Sequence, residues 1–402
     1  MPTDAGTTTL DDGALVRGAR DTDLAEMLAL EAEREGEDDA VDLKLVAETP
    51  GGLESMSVVE LDGRVVSMAT LLDESLNVGG TTLPAGQIEM VATARQAEGR
   101  GYVRALMQRS HALSALRGHV VQVMIGIPNF YRQFGYAYSI QMHPWATVGH
   151  RQLAENGLAT VTASEADLTE CQRLQSETQA HFDVTMPHSQ DCWRWLMLHT
   201  SSQQVLVRDS EGQAHALARV YDDGEGHVDV GEISATSERA TDALLAHALR
   251  AAGEDGTLRV NLRPHVPGLS DKIEGVERTE WYYVRVPDPA VLLQAMAPVL
   301  LARLRQADRL NGEALISFFR RHVRINWAND DLTVSAGGPL QAPVYAGGSG
   351  VPIDALGSML FGDGAEGLED RFPDAHLGRQ ADLMRILFPP QSADLLTFYL
   401  PS

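Results

Sequence analysis

A segment around residue 96 combines glutamine and glycine in a pattern that can bind an anion. A strand predicted at residues 88–93 leads into a loop with Gln96, Gly99 and Gly101, and an amphipathic helix is predicted at 103–116. Glycines let the backbone approach a ligand closely, and the free N–H groups at the start of a helix attract negative charge. The order of strand, loop and helix therefore predicts a pyrophosphate site.

The spacing of this loop separates it from two common phosphate motifs. A dinucleotide fingerprint spaces its glycines as G-x-G-x-x-G, and a P-loop ends in Gly-Lys followed by Ser or Thr. Loops before helices also contain glycines for turn geometry alone. The arrangement Gln-x-x-Gly-x-Gly instead resembles the acetyl-CoA loop of the GNAT acetyltransferase superfamily, Q/R-x-x-G-x-G/A.

A second motif follows at the separation that this resemblance implies. An apolar strand is predicted at residues 120–125, and Phe130, Tyr131, Gly135 and Tyr136 then match the GNAT pattern F-Y-x-x-x-G-F/Y, expected on a helix. The resemblance implies that Tyr131 is the general acid that protonates the departing thiolate. It also implies that Glu89, a carboxylate on the cofactor strand, is a candidate general base; the alternative is a structural carboxylate.

Composition limits the partners of the chain. Its 402 residues carry 32 basic and 56 acidic side chains, a formal net charge of −24 with a pI near 4.8. Nucleic-acid binding needs a basic surface, so we expect no nucleic-acid partner. The two cysteines, Cys171 and Cys192, form no metal-binding or disulfide framework. With no signal-like N-terminus and no membrane-length apolar run, we expect a metal-free cytoplasmic protein without membrane contact.

The pattern of elements predicts three units of α/β (α+β) type. Residues 1–150 are predicted to form an N-terminal GNAT domain that binds acetyl-CoA. Residues 151–283 are predicted to form a second, degenerate GNAT-like domain, because no glycine occurs in residues 232–240, where its pyrophosphate loop would lie. Residues 284–402 are predicted to form a small α+β domain.

This layout resembles the Eis (enhanced intracellular survival) acetyltransferase family along essentially the whole chain. The resemblance implies that the third domain has a sterol-carrier-protein-like fold and that the chain assembles as a homohexamer. It also implies acetyl-CoA as co-substrate, with no metal. The residues implied to bind it are Val91, Ala92, Thr93, Gly99, Arg100, Gly101, Tyr102, Val103, Arg104, Gly126, Ile127 and Asn129.

The resemblance leaves the general base open between two carboxylates. Family members use the carboxylate of the chain terminus, here that of Ser402, and Glu89 is the competing candidate. The tail departs from the family pattern, since it continues past Phe398 and Tyr399 to Leu-Pro-Ser. The loop also departs from it, because Glu98-Gly99-Arg100 stands where members of the family carry more arginine.

These observations predict an N-acetyltransferase that acts by direct transfer on a cationic amine. The acceptor would be an aminoglycoside-like polyamine or the lysine side chain of a peptide or protein. Two alternatives remain at this point: transfer of a longer acyl chain, and a non-catalytic protein that senses acyl-CoA or binds lipid.

Overall fold

The computed structural model describes residues 5–149 and 157–396. The first of these ranges alternates strands with three helices, and the predicted hairpin turn at Asp62-Gly63 joins two long strands. Its elements are β1 (Thr8–Thr9), β2 (Leu15–Gly18), α1 (Leu24–Arg34), α2 (Glu37–Glu48), β3 (Met56–Leu61), β4 (Arg64–Val78), β5 (Thr81–Thr93), α3 (Tyr102–Leu116), β6 (Val121–Met124), β7 (Ala137–Gln141) and β8 (Trp145–Val148).

The middle of the chain repeats this alternation. The elements are β9 (Ala159–Thr162), α4 (Leu168–Gln179), β10 (Val184–Met186), α5 (Gln190–Leu198), β11 (Ser202–Arg208), β12 (Ala214–Asp222), β13 (His227–Ala235), α6 (Glu238–Ala252), β14 (Thr257–Asn261) and β15 (Ile273–Val276).

The last part contains a β-meander between two groups of helices. Its elements are β16 (Trp281–Arg285), α7 (Pro289–Ala295), α8 (Ala297–Gln306), β17 (Asn311–Ser317), β18 (His322–Ala328), β19 (Asp331–Gly337), β20 (Ser349–Gly350), α9 (Leu356–Phe361), α10 (Leu368–Arg371), α11 (Ala381–Leu387) and β21 (Ala393–Leu395).

Three sheets organise these strands. The first has the order β1-β2-β3-β4-β5-β6-β16-β7, and β10 extends it from β4 and is itself paired with β21. The second has the order β15-β8-β14-β13-β12-β11-β9, and the third β19-β18-β17-β20. The main apolar core joins the first and third sheets, since Leu76 of β4 and Ile316 of β17 belong to one buried cluster.

Strands cross the predicted domain boundaries in both directions. β8 precedes residue 150 but pairs with β14 and β15 in the second sheet. β16, which spans the predicted boundary at 283, lies between β6 and β7 in the first sheet. The units therefore share strands instead of following one another as separate segments, and the sterol-carrier-like character of the third unit stays a prediction.

Candidate active site

The site begins where two parallel strands separate. β5 and β6 pair only from Ala85 opposite Val121 to Gln87 opposite Val123. On its other side β5 then shifts register against β4, because Thr70 faces Glu89 whereas Met68 faces Ala92. Within this bulge Met90 has a positive φ of 52°. A bulge bends its strand, so the end of β5 leaves β6 and a wedge opens between them.

A cleft of about 520 Å³ lies at this wedge. Most of the residues that the sequence predicted to bind the coenzyme, together with the predicted acid, line it. These are Val91, Thr93, Gly99, Gly101, Tyr102, Val103, Arg104, Ile127 and Tyr131. Residues that the sequence did not predict to be catalytic or to bind the coenzyme complete the wall: Arg34, Glu35, Ala97, Glu98, Phe130, Gln133 and Phe134.

The glycine loop leaves open space beside the start of α3. Gly99 and Gly101 have positive φ values of 74° and 83°, and a Cβ added to either would meet no atom within 4 Å. Glycine is therefore required here by the backbone conformation and not by crowding. No side chain of the described residues caps α3, so its first N–H groups are available to an anion.

Positive charge reaches the loop from a helix that is distant in sequence. Arg34, in the last turn of α1, forms an ion pair of 2.8 Å with Glu98. Arg104 lies over the ring of Phe134 and donates to Gln133. Arg34 could not be recognised from the sequence as part of the site, because its proximity to the loop depends on how α1 packs beside β5.

Tyr131 is held in an aromatic cluster and backed by a glycine. It lies in a short 3₁₀ helix (Phe130–Phe134), where the sequence suggested an ordinary helix, and is only 5% exposed. The rings of Phe130, Phe134, Tyr136 and Tyr283 surround it. Burial, and after it the nearby Glu89 carboxyl, raises the pKa of Tyr131 well above its usual range. The hydroxyl is therefore protonated and able to donate.

Glu89 is half-buried at the same wedge and is not among the residues that line the cleft. Its carboxyl accepts hydrogen bonds from the Gln87 amide at 2.5 Å and from the backbone N–H of Ile125. Burial raises the pKa of Glu89 to about 8, and these two hydrogen bonds limit the rise. A carboxyl that titrates near neutral pH has the property that a general base requires.

Other predicted residues lie beside the cleft instead of lining it. The Ala92 carbonyl accepts a hydrogen bond from Ser67, and Arg100 donates to the carbonyl of Gln96. Gly126 lines a neighbouring cavity of about 570 Å³, and Asn129 donates its N–H to Tyr138. Ser402 lies outside the described residues.

The second sheet repeats the wedge, but the protein's own groups fill it. β13 carries the same register shift against β12, with Glu232 at a positive φ of 56°. The Arg263 guanidinium donates to the carbonyls of Glu232 and Ile233 and forms a buried ion pair of 2.6 Å with Asp394. Ser237 caps α6. Arg263 therefore occupies two carbonyls of this wedge, and the Ser237 side chain accepts the Ala240 N–H at the start of α6.

Neither a metal centre nor a membrane-crossing helix is found in residues 5–149 and 157–396. No group of three or more His, Cys, Asp or Glu side chains there is arranged to hold a metal ion. No helix of that part of the chain is both long and apolar enough to cross a membrane.

Solved structures share this architecture over nearly the whole chain. A probable N-acyltransferase from Enterococcus faecalis V583 matches with a TM-score of 0.70 and 15% identity, covering 96% of this chain and all of that one. A GCN5-related N-acetyltransferase from Anabaena variabilis matches with a TM-score of 0.71 and 13% identity, and the match covers 95% of this chain and 99% of that one. Eis1 from Mycobacterium abscessus matches with a TM-score of 0.60 and 15% identity, and the match covers 94% of this chain and 98% of that one. These likenesses show that the chain shares its overall fold with these three proteins.

The sequence itself places the first unit in this class. Residues 16–139 match the family model for an acetyltransferase (GNAT) domain, and that range contains the glycine loop, Glu89 and Tyr131. None of the curated proteins compared with the chain matches it. The chain therefore carries a GNAT domain and is an N-acetyltransferase.

Proposed function

We propose that the protein transfers an acetyl group from acetyl-CoA directly to a cationic amine. The observation that carries this proposal is the cleft at the β5–β6 wedge, where the glycine loop, Tyr131 and the edge of β5 meet. A non-catalytic protein that only senses acyl-CoA would need the glycine loop but not Tyr131. A buried, protonated tyrosine near a carboxyl with a pKa close to neutral favours catalysis over sensing.

The residues of the wedge fit acetyl-CoA. Pairing of β5 with β6 ends at Gln87, so the backbone of Val91, Ala92 and Thr93 is free on that side to bind the pantetheine arm as an added strand would. The N–H groups from Gly99 to Arg104 would hold the pyrophosphate. When bound, the coenzyme supplies a thioester, the activated form of the acetyl group.

Side chains of the protein would then donate and accept the protons of the reaction. Tyr131 protonates the leaving sulfur, since its hydroxyl is protonated at any pH of interest. Glu89 would accept the proton that the ammonium group loses, which leaves the neutral amine to attack the thioester, with the carboxylate of Ser402 as the competing base. Amide donors of the β5 bulge stabilise the oxyanion that develops on the acetyl carbonyl.

A cluster of carboxyls on α1 and α2 supports a cationic acceptor. Burial, and after it the charges of Asp39 and Glu35, raises the pKa of Glu31 to about 8. Glu31 is 1% exposed, and its Oε2 has no hydrogen-bond partner among the described residues. The negative charge of Glu89 also raises the pKa of Glu31. An ammonium group would relieve the repulsion between these carboxyls.

The resemblance to Eis proteins extends the proposal to the whole chain. The likeness to Eis1 over 94% of the chain supports an Eis-type fold. The sterol-carrier-like third unit that the sequence resemblance implies is part of the same proposal. We propose a homohexamer that works in the cytoplasm, which native mass spectrometry and fractionation would test.

The experiment is a coenzyme A release assay with amines of increasing charge: a monoamine, spermidine, an aminoglycoside and a lysine peptide. We expect turnover that rises with acceptor charge and falls with added salt, because both follow from an acidic acceptor site. Binding of acetyl-CoA without turnover on any amine would instead support the sensing alternative, and faster turnover with a long-chain acyl-CoA would support acyl transfer.

A further inference from the structure

One wall of the cleft is a segment that lies outside the β-sheets of the described residues. Residues 125–129, which we call the strap, follow the end of β6 and pair with no β-strand in the described part of the chain. Ile127 of the strap lines the cleft and is 63% exposed, and Asn129 has a positive φ of 65°. Such a segment needs other contacts to keep one conformation.

The Ile125 N–H donates to Glu89, and the Ile127 carbonyl accepts from the Phe130 N–H. Two tyrosines on neighbouring strands add further contacts. The Tyr138 hydroxyl, on β7, accepts a hydrogen bond of 3.2 Å from the Asn129 N–H. The Tyr283 hydroxyl, on β16, donates one of 3.3 Å to the Ile127 carbonyl. The two rings stack on each other, with centroids 4.1 Å apart and planes 21° apart. The stacked pair thus holds both ends of the strap's exposed part.

One member of this pair, Tyr283, also contacts the proposed acid Tyr131. Tyr283 is fully buried, and its ring meets the edge of the Tyr131 ring at a centroid distance of 6.1 Å. Burial raises the pKa of Tyr283 to about 12, and a hydrogen bond with Tyr138 adds to the rise. Its hydroxyl is therefore a donor throughout the working pH range.

We propose that Tyr138 and Tyr283 are positioning residues, which hold the strap in the conformation that binds acetyl-CoA. This inference rests on the proposed function of the cleft. It also gives a reason for the placement of β16: a strand that follows the second unit in sequence completes the coenzyme site of the first. Neither tyrosine contacts the cleft itself, so each acts through Ile127, Asn129 and Tyr131.

Phenylalanine substitutions isolate the two hydroxyls, because they keep the rings and the stacking. The variants are Tyr138→Phe, Tyr283→Phe and the double variant. Tyr136→Phe is the matched control, since Tyr136 belongs to the same aromatic cluster but its hydroxyl contacts His111 instead of the strap. The measurements are the acetyl-CoA dissociation constant by calorimetry, KM for both substrates, and thermal unfolding.

Each single variant should bind acetyl-CoA about three- to tenfold more weakly, the range expected for one lost hydrogen bond. The double variant should lose less than the product of the two single effects, because either substitution frees the same strap. KM for acetyl-CoA should rise in parallel while KM for the amine stays unchanged. The control should bind acetyl-CoA as the wild type does.

Wild-type acetyl-CoA affinity in both single variants, even with lowered thermal stability, would overturn the inference and leave the tyrosines as core residues. If Tyr283→Phe does not fold, Tyr138→Phe provides the same test at a less buried position. A wild-type protein that binds no acetyl-CoA would instead refute the proposed function, a result distinct from either.

Discussion

The ring of Tyr131 lies directly against the backbone of Gly126. A Cβ added at residue 126 would stand 2.4 Å from the ring carbon Cε2 and 2.7 Å from Cδ2. The identity of residue 126 therefore determines where the proposed acid can lie. Gly126 acts on catalysis through this contact, although it does not line the cleft.

We predict that Gly126→Ala lowers kcat about tenfold or more, because the new methyl group displaces the ring from its donor position. The dissociation constant of acetyl-CoA should change much less. Gly338→Ala is the matched control, since a Cβ there meets nothing within 4 Å. Steady-state kinetics beside calorimetry measure both effects, and an unchanged kcat would contradict the role given to this contact.

The raised pKa of Glu89 predicts the pH dependence of catalysis. If this carboxyl is the base, it must lose its proton first, so kcat should rise with pH and level off above about pH 8. Glu89→Gln should abolish this rise. Retention of the same pH profile in Glu89→Gln would point to the carboxylate of Ser402 instead.

The same pKa predicts a change in stability of known sign. The folded pKa of Glu89 lies above the ordinary value, so the folded state favours the protonated carboxyl, and this contribution is lost as pH rises through about 8. Glu89→Gln cannot lose a proton. Chemical denaturation at pH 6 and pH 9 should therefore show the variant gaining stability relative to wild type at the higher pH, and no relative gain would contradict the raised pKa.

Arg34 should contribute to coenzyme binding through the phosphates. We predict that Arg34→Gln weakens acetyl-CoA binding severalfold, and more strongly at low salt, because a charge interaction is lost. Arg64→Gln is the control: Arg64 also pairs with a glutamate, Glu26, but in a surface pair that does not line the cleft. Equal effects of the two substitutions would show that Arg34 serves only its ion pair with Glu98.

The buried pair of Arg263 and Asp394 should stabilise the fold without affecting coenzyme stoichiometry. Breaking a buried pair leaves an unpaired charge, so Arg263→Met should cost about 3–5 kcal/mol of unfolding free energy. Calorimetry on the wild type should give one acetyl-CoA per chain. In the wedge of the second sheet, the Arg263 guanidinium is already hydrogen-bonded to the backbone carbonyls that a second coenzyme would need. Two coenzymes per chain would contradict this account.

The sequence predicted those parts of the site that are local in the chain. The predicted order of strand, glycine loop and helix over residues 88–116 and the aromatic motif at Phe130–Tyr136 each depend on neighbouring residues. Two features depend on distant pairings and had no local signal. β16 enters the first sheet from beyond residue 280, and Arg34 meets the loop only through the packing of α1. The bulge at Met90 was also missed, because it arises from the register between β4 and β5.

The most direct test of the account is the substitution Tyr131→Phe, measured in one preparation for acetyl-CoA affinity and for turnover with spermidine. The ring and its packing remain, and only the proton donor is lost. We predict an unchanged dissociation constant together with a fall in kcat of about a hundredfold, the scale of a lost general acid. Turnover equal to that of the wild type would contradict the assignment of Tyr131 as the acid.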